Sequence, residues 1–361
     1  MKYHPLGQSG LYVSEYVLGS LTFAGTNGFE ALGSVDAAQA RRMVEAALDA
    51  GVNAVDTANL YSKGDAESVV GRAIADRRDD LLLFSKAASP MTDGPNGAGA
   101  SRAHLSRQID DSLRRLGTDH LDLYFVHRWD GVTPVEETVQ TMGGLVKSGK
   151  IRYWGISNYS GWQVAKTVML ARQMHLPPPV AHQVYYTPAA REAEYEIIPA
   201  GEELGVATVV WSPLGQGLLT GRVDRNTPPP ADTRQGDDHW PEPYVADRDT
   251  LWNVIDALKR IAAARDVSVA QVTLAWLRGQ PPVRSIVLGA RNEAQLGDNL
   301  DSARLELSSG ELEIIERAGR PPAIYPYWHR AMWALDRPTP AEREYLQRHR
   351  LSMGLKRTDE Q

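Results

Sequence analysis

The chain has 361 residues, 42% hydrophobic and 23% charged, which supplies a large buried core and excludes a disordered chain. A formal net charge of −6 leaves no overall positive field to draw nucleic acid or an anionic bilayer. The absence of cysteine removes disulfides, thiolate nucleophiles, iron–sulfur clusters and cysteine-ligated zinc from the available chemistry. Residues 1–10 carry no apolar core of signal-peptide length, and the longest apolar runs, 81–84 and 206–211, are far too short to span a bilayer. No membrane insertion is expected, and the chain is read as cytoplasmic.

In chain order, the run 16–19 is a first strand. From Asp36, the residues Ala40, Met43, Val44, Ala47 and Leu48 follow the spacing of a buried helix face, with Asp36 and Gln39 as a capping pair. Gly51 stands where a helix C-terminus takes a left-handed residue, and the run 52–55 then ends on Asp56. The run 81–84 leads to Lys86. A helix with the stripe Leu105, Ile109, Leu113 and Leu116 ends at Gly117, and the run 121–126 ends at His127. Thr133 as cap, Pro134 at the first helical position and Glu136 open the next helix, which gives way at Gly149 to a run ending at Ser157. Further strand ends fall at Gln183, at Trp211 after Gly205, and at Gly289 after the run 285–288. Eight apolar strands alternating with helices form a parallel sheet covered on its outer side, and eight such units close into a (β/α)8 TIM barrel; an open doubly wound sheet is the structural alternative.

Three segments break the repeat: 87–100, rich in Gly, Ala and Pro; 222–245, with Pro228-Pro229-Pro230; and the tail after Gly319. Irregular inserts after strand ends are candidate active-site loops. The tail holds Tyr325, Tyr327, Trp328 and Trp333, then a helix capped by Thr339 with Glu342 three residues on. Residues 1–319 are therefore taken as the barrel and 320–361 as a helical extension packed on or near it. Trp154, Trp162, Trp252 and Trp276 fit core faces, whereas Phe23, in the first βα loop, and Trp129, after a strand end, are candidate substrate-pocket walls.

In a closed barrel the strand-end residues Asp56, Lys86, His127, Asn158 and Gln183 converge on one mouth. Lys86 emerges from an apolar strand and needs a partner if buried, and Asp56 on the neighbouring strand supplies one. Tyr61 follows Asp56 by five residues. A phenol beside an ammonium has its ionised form favoured, and His127 can polarise the same substrate oxygen. This is chemistry for delivering a proton to a carbonyl oxygen, and since no side chain donates a hydride, a cofactor is implied. A Schiff base on Lys86 is a competing use of the same lysine. Around His127-Arg128-Trp129-Asp130 only one clear ligand faces the mouth, so no metal is expected. Residues 215–221 resemble a glycine loop after a strand but lack the helix that a Rossmann fingerprint requires.

From Lys2 to about Gly319 the chain resembles the aldo-keto reductases, in the branch of potassium-channel beta-subunit-like and bacterial proteins. The resemblance is carried by Asp56-Thr57-Ala58-Asn59-Leu60-Tyr61 with Gly64, Glu67 and Gly71; Phe84-Ser85-Lys86; Leu121-Asp122-Leu123-Tyr124-Phe125-Val126-His127-Arg128; Gly155-Ile156-Ser157-Asn158-Tyr159; Gln183; and Trp211-Ser212-Pro213-Leu214-Gly215-Gln216-Gly217-Leu218-Leu219-Thr220-Gly221-Arg222. Residues 6–14 are similar to the hairpin that plugs the barrel floor in that family. The resemblance implies Asp56, Tyr61, Lys86 and His127 as catalytic residues, with Tyr61 the general acid in reduction and the general base in oxidation. It implies Ser157, Asn158 and Gln183 on the nicotinamide carboxamide and Trp211 stacked on the ring. Ser212, Leu214, Gly217 and Arg222 match the pyrophosphate belt, with Pro213, Gly215 and Gln216 in the same cofactor-binding set; Gly289, Arg291, Gln295, Asp298 and Asn299 match the adenosine end.

Many members place a lysine and an arginine where this chain has Gly289 and Gln295, so Arg291 is expected to take over as the 2′-phosphate ligand. The implied cofactor is NADP(H), with NAD(H) as the alternative. The implied reaction is reversible reduction of a small aldehyde or ketone to an alcohol, by a chain that can be a homo-oligomer. The other readings are a cofactor-sensing regulatory subunit with weak turnover and a Schiff-base lyase using Lys86. In this family the inserts and the tail form the substrate pocket walls.

Overall fold

A computed structural model describes the chain apart from residues 228, 231–232, 237–242 and 359–361 and the side chains of residues 340–341. Of the run Pro228-Pro229-Pro230, Pro228 thus lies outside the described residues. The strands are β1 (Tyr3–Pro5), β2 (Tyr12–Ser14), β3 (Tyr16–Gly19), β4 (Ala54–Asp56), β5 (Leu82–Ala87), β6 (Leu121–Val126), β7 (Ile151–Ser157), β8 (Ala181–Tyr185), β9 (Ala207–Trp211) and β10 (Val283–Leu288). β1 and β2 form an antiparallel hairpin, and β3 to β10 form a closed parallel barrel in which each strand pairs with the next. The pairing of β10 with β3, with Ile286 opposite Tyr16, closes the ring and removes the open-sheet alternative. Among the described residues no helix is long and apolar enough to cross a membrane.

Two apolar layers follow from the period-two alternation of strand side chains. One set, including Tyr16, Leu18, Val55, Leu83, Tyr124 and Val210, packs with the helices; the other, Val17, Ala54, Phe84, Leu123, Phe125, Ala181, Ala207 and Val209, fills the barrel. Leu6, Leu11 and Val13 of the hairpin belong to the inner set, so β1 and β2 stop the barrel floor. Gly155 on β7 is needed inside the barrel, because a Cβ there would lie 2.5 Å from the Phe125 ring.

The helix ends follow the expected chemistry in most places. Gly51, Gly117, Gly149 and Gly205 all take positive φ, at 86°, 67°, 77° and 75°. Asp36 accepts from the Gln39 amide nitrogen at 2.8 Å, but the Gln39 side chain reaches out to Glu293 and the Arg291 carbonyl instead of back to the cap. Thr133 does not cap its helix. Val135–Lys147 starts after Pro134 with no side-chain cap, and the Thr133 hydroxyl donates to Asp130, which also accepts from the Ala100, Val132 and Thr133 amides. Trp154 and Trp276 are buried as expected, whereas Trp162 is 58% exposed because it sits at the start of its helix and meets Trp129 edge-on.

Beyond Gly319 come the helices Tyr327–Trp333 and Pro340–Ser352, the second opened by the expected capping box of Thr339 and Glu342. The extension lies against residues 191–196: the Arg348 guanidinium pairs with Glu194 at 3.4 Å, the Tyr195 hydroxyl donates to the Pro322 carbonyl, and His349 stacks on both Tyr195 and Tyr327.

Candidate active site

The residues that close each inner row stand two positions beyond a barrel-filling side chain: Asp56 after Ala54, Lys86 after Phe84, His127 after Phe125, Gln183 after Ala181, Trp211 after Val209. The pleat points them inward, and each stands at or near the C-terminal end of its strand in a parallel barrel, so they share one mouth. They line a cavity of about 620 Å³ together with Tyr61, Ser157 and Asn158, all except Lys86, which lies beneath it.

Lys86 is fully buried and its ammonium donates to Asp56, to the Thr57 carbonyl at 2.9 Å and to the Tyr61 hydroxyl at 3.2 Å. Burial works against the charge, but Asp56 and Tyr61 outweigh it and hold the lysine above its usual pKa. The free side of Asp56 accepts from the Gln183 amide at 3.1 Å. The His127 ring meets Tyr61 edge-on at 6.0 Å; burial, joined by Lys86 and Arg128, lowers its pKa to about 3, so the ring is neutral. Among the described residues its buried Nδ1 has no partner, which leaves Nε2 as the nitrogen for the cavity.

Tyr61 begins a tight turn, Tyr61–Gly64, in which Ser62 and Lys63 both take left-handed backbone. The helix Asp65–Ile74 that follows is tied to β5: Glu67 accepts from Ser85 at 2.5 Å and from Arg115 at 2.7 Å. The strand that carries Lys86 and the turn that carries Tyr61 are thereby fixed to each other.

Along the cavity, Asn158 spans β6, β7 and β9, donating to the His127 carbonyl at 3.0 Å and accepting from the Trp211 indole at 3.2 Å. The segment after β9 has positive φ at Ser212, Gly215, Gln216 and Gly217 and folds back on itself, the Gly215 amide donating to the Ser212 carbonyl at 2.9 Å and the Gly217 amide to the Leu214 carbonyl at 3.1 Å. Pro213, Leu214 and Arg222 line the same wall, and Gly289, Arg291, Gln295, Asp298 and Asn299 line the far end. The Arg291 guanidinium donates to the Ala31 and Leu32 carbonyls at 2.8 and 3.1 Å.

A family model for the aldo/keto reductase family matches residues 17–320. The chain belongs to the aldo/keto reductase family. It is 35% identical over 308 residues to a probable voltage-gated potassium channel subunit beta of Oryza sativa subsp. japonica, covering 83% of this chain and 90% of that one. It is 33% identical over 328 residues to L-glyceraldehyde 3-phosphate reductase of Escherichia coli strain K12, covering 88% and 92%. It is also 33% identical over 296 residues to an aryl-alcohol dehydrogenase of Pestalotiopsis microspora, covering 79% and 74%. Members of the family generally use NAD(P)H.

Not every expected residue of this aldo/keto reductase reaches the cavity. Phe23 is fully buried in the outer core, Trp129 packs between Tyr159 and Trp162, and Gly215 is buried and borders a second, smaller cavity with Tyr185 and Leu219; the apolar lining beside Tyr61 in sequence and in the first loop is instead Leu60, Leu21 and Phe29. Among the described residues the cavity takes Arg222, Thr233 and Arg234 from the second insert, but nothing from 87–100 and nothing from the tail, which is occupied against residues 191–196. Ser20, Thr22 and Ser268 also line it without having been singled out in the sequence. Ser268 is legible as a helix cap, since it accepts from Gln271, but a cap carries no sign that it faces a ligand.

Proposed function

We propose that this reductase carries out reversible, NAD(P)H-dependent reduction of an aldehyde or ketone to an alcohol, with the proton donated by Tyr61. The observation that carries the proposal is the chain Asp56, Lys86, Tyr61 at the cavity floor beside a neutral His127. The cavity suits a dinucleotide in size, in its polar lining by Ser212, Gln216, Gly217 and Arg222 after β9, and in the position of Trp211. Ser157, Asn158, Gln183 and Trp211 would hold the nicotinamide; Ser212, Pro213, Leu214, Gln216, Gly217 and Arg222 the pyrophosphate; Gly289, Arg291, Gln295, Asp298 and Asn299 the adenosine. NAD(P)H bound there supplies a hydride, which no side chain can.

The protein's own part is the proton. The Lys86 ammonium favours the phenolate that Tyr61 leaves behind on donating to the carbonyl oxygen, and Asp56 keeps that ammonium charged. The neutral His127 donates to the same oxygen and orients the carbonyl without competing for the proton. A Schiff-base role for Lys86 is not favoured, because that chemistry needs a neutral amine and the site holds this one charged.

Leu21, Phe29, Leu60 and Trp211 line the cavity together with Tyr61, whereas the lining arginines Arg222, Arg234 and Arg291 belong to segments 212–234 and 289–299. This favours an apolar or aromatic carbonyl over a phosphorylated one. Residues 1–319 are proposed as the unit that carries this activity, with 320–361 as an extension outside the cavity. The channel-subunit relatives support a second reading, a regulatory subunit with the same site and weak turnover. Titration with NADPH and NADH followed by a panel of aryl aldehydes, ring ketones and sugar phosphates tests the proposal. Oxidation of bound cofactor by the aryl members supports it; binding without turnover of any carbonyl favours the regulatory subunit.

A further inference from the structure

Residues 20–35, between β3 and the helix Ala37–Asp49, form a long loop with an unusual set of attachments. Its neck is pinched: Phe23 bridges to Val35, and Gly25 lies so close to the Gly33 carbonyl that a Cβ would sit 1.9 Å from it. Phe23, Leu32 and Val35 are buried to 1% or less, which makes the loop a packed body. Leu21, Thr22 and Phe29 face the cavity.

One end of this body is fastened at the far end of the cavity. The Thr22 hydroxyl donates to the Ala290 carbonyl at 2.6 Å, and the Arg291 guanidinium donates to the Leu32 and Ala31 carbonyls. The other end is fastened to the Tyr61 turn. The Asn27 amide donates to the Ser62 carbonyl at 3.0 Å and to Asp65 at 3.1 Å, the Thr26 hydroxyl donates to Asp65 at 2.7 Å, and the Ser62 hydroxyl donates to the Phe23 carbonyl at 3.3 Å. Ser62, the first of the two left-handed residues, is thus held from outside its own turn.

We propose that the 20–35 loop is a strap along the dinucleotide channel that links the adenosine end to Tyr61, and that Arg291 is the positioning residue that latches it instead of the ligand that reads a 2′-phosphate. The proposal rests on the dinucleotide reading of the cavity. A guanidinium spent on two backbone carbonyls would have to release both to fork onto a phosphate, and those carbonyls would lose a charged donor. Discrimination between NADPH and NADH therefore does not pass through Arg291. Strap and latch act on the part the two cofactors share, and the same strap keeps Tyr61 over Lys86.

The test compares the unmodified protein with Arg291→Ala, Arg291→Lys, Asn27→Ala and Asn27→Gly. Dissociation constants and release rates for NADPH and NADH come from fluorescence titration and stopped flow, and kcat from turnover of an accepted carbonyl. Arg291→Ala is expected to speed release of both cofactors by about tenfold, with their affinity ratio kept within about twofold. The lysine variant should recover part of this for both alike. Asn27 is exposed and has left-handed backbone at φ 58°, so Asn27→Gly beside Asn27→Ala separates loss of the amide from backbone strain; both are expected to speed release of both cofactors and lower kcat, although outside its own loop the Asn27 amide donates to Ser62 and Asp65. A loss of about tenfold or more confined to NADPH in Arg291→Ala overturns the proposal in favour of a phosphate ligand. Unchanged cofactor release in Asn27→Gly overturns the link between the two ends. If the unmodified protein binds neither nucleotide, the dinucleotide reading fails and the strap with it, a result separable from the variants' behaviour.

Discussion

Lys86 and Asp56 are 0% and 1% exposed, and their pairing gives a double-mutant test of why the site is built as it is. In Lys86→Met the Asp56 carboxylate keeps only the Gln183 amide, at 3.1 and 3.4 Å. In Asp56→Asn the ammonium keeps only the Thr57 carbonyl and the Tyr61 hydroxyl as acceptors of full strength. Each single change leaves one charge buried and poorly compensated, which costs about 3–5 kcal/mol. The double variant buries no net charge there, so its loss should fall short of the sum by about 2 kcal/mol or more. Urea unfolding followed by tryptophan fluorescence measures the three values, and unchanged m-values show that the unfolded state is comparable. Turnover should be lost in all three variants, since the ammonium that favours the Tyr61 phenolate is gone or unpartnered in each. Single losses below about 1 kcal/mol that simply add would refute a buried, mutually dependent pair.

The raised pKa of Lys86 sets a pH window: the stability it contributes is complete below the free-lysine value of about 10.4 and is lost as pH rises through the higher folded value. His127 and His182 act in the opposite range. Both are lowered to about 3 by burial, so between about 6.5 and 3 the unfolded chain takes up protons that the folded chain refuses. Stability should fall on acidification through that window by up to about 1.4 kcal/mol per pH unit for each histidine. His182→Gln should remove one of the two slopes, and an unaltered profile would contradict the assignment. Gly155→Ala is expected to cost about 1–3 kcal/mol, because its methyl group meets the Phe125 ring inside a packed barrel; a neutral result in thermal unfolding would mean that the ring moves freely.

The strand ends were legible in the sequence because two local rules meet there. A glycine with positive φ marks where each helix stops, as at Gly51, Gly117, Gly149 and Gly205, and an apolar run then delivers a polar or aromatic residue at the mouth. Register and pleat do the rest, so Asp56, Lys86, His127 and Gln183 could be placed on one ring without coordinates. The misplacements have tertiary causes. Thr133 has the composition of a cap, but Asp130, three residues earlier, captures its hydroxyl and amide. Phe23 and Phe29 share one loop, and only the pinch at Gly25 and Gly33 decides that Phe23 goes into the core and Phe29 to the cavity. The tail was expected at the pocket, but Glu194, far away in sequence and itself paired with Arg191, holds Arg348 elsewhere.

The central claim is that the Tyr61 hydroxyl delivers the proton, and Tyr61→Phe tests it most directly by removing one oxygen from a half-buried ring. Single-turnover reduction of an accepted carbonyl, measured with cofactor already bound, separates the chemical step from binding. The expected result is unchanged cofactor affinity with the hydride-transfer step slowed by about 100- to 10,000-fold. Near-native single-turnover rates in Tyr61→Phe, with cofactor bound as before, would contradict it.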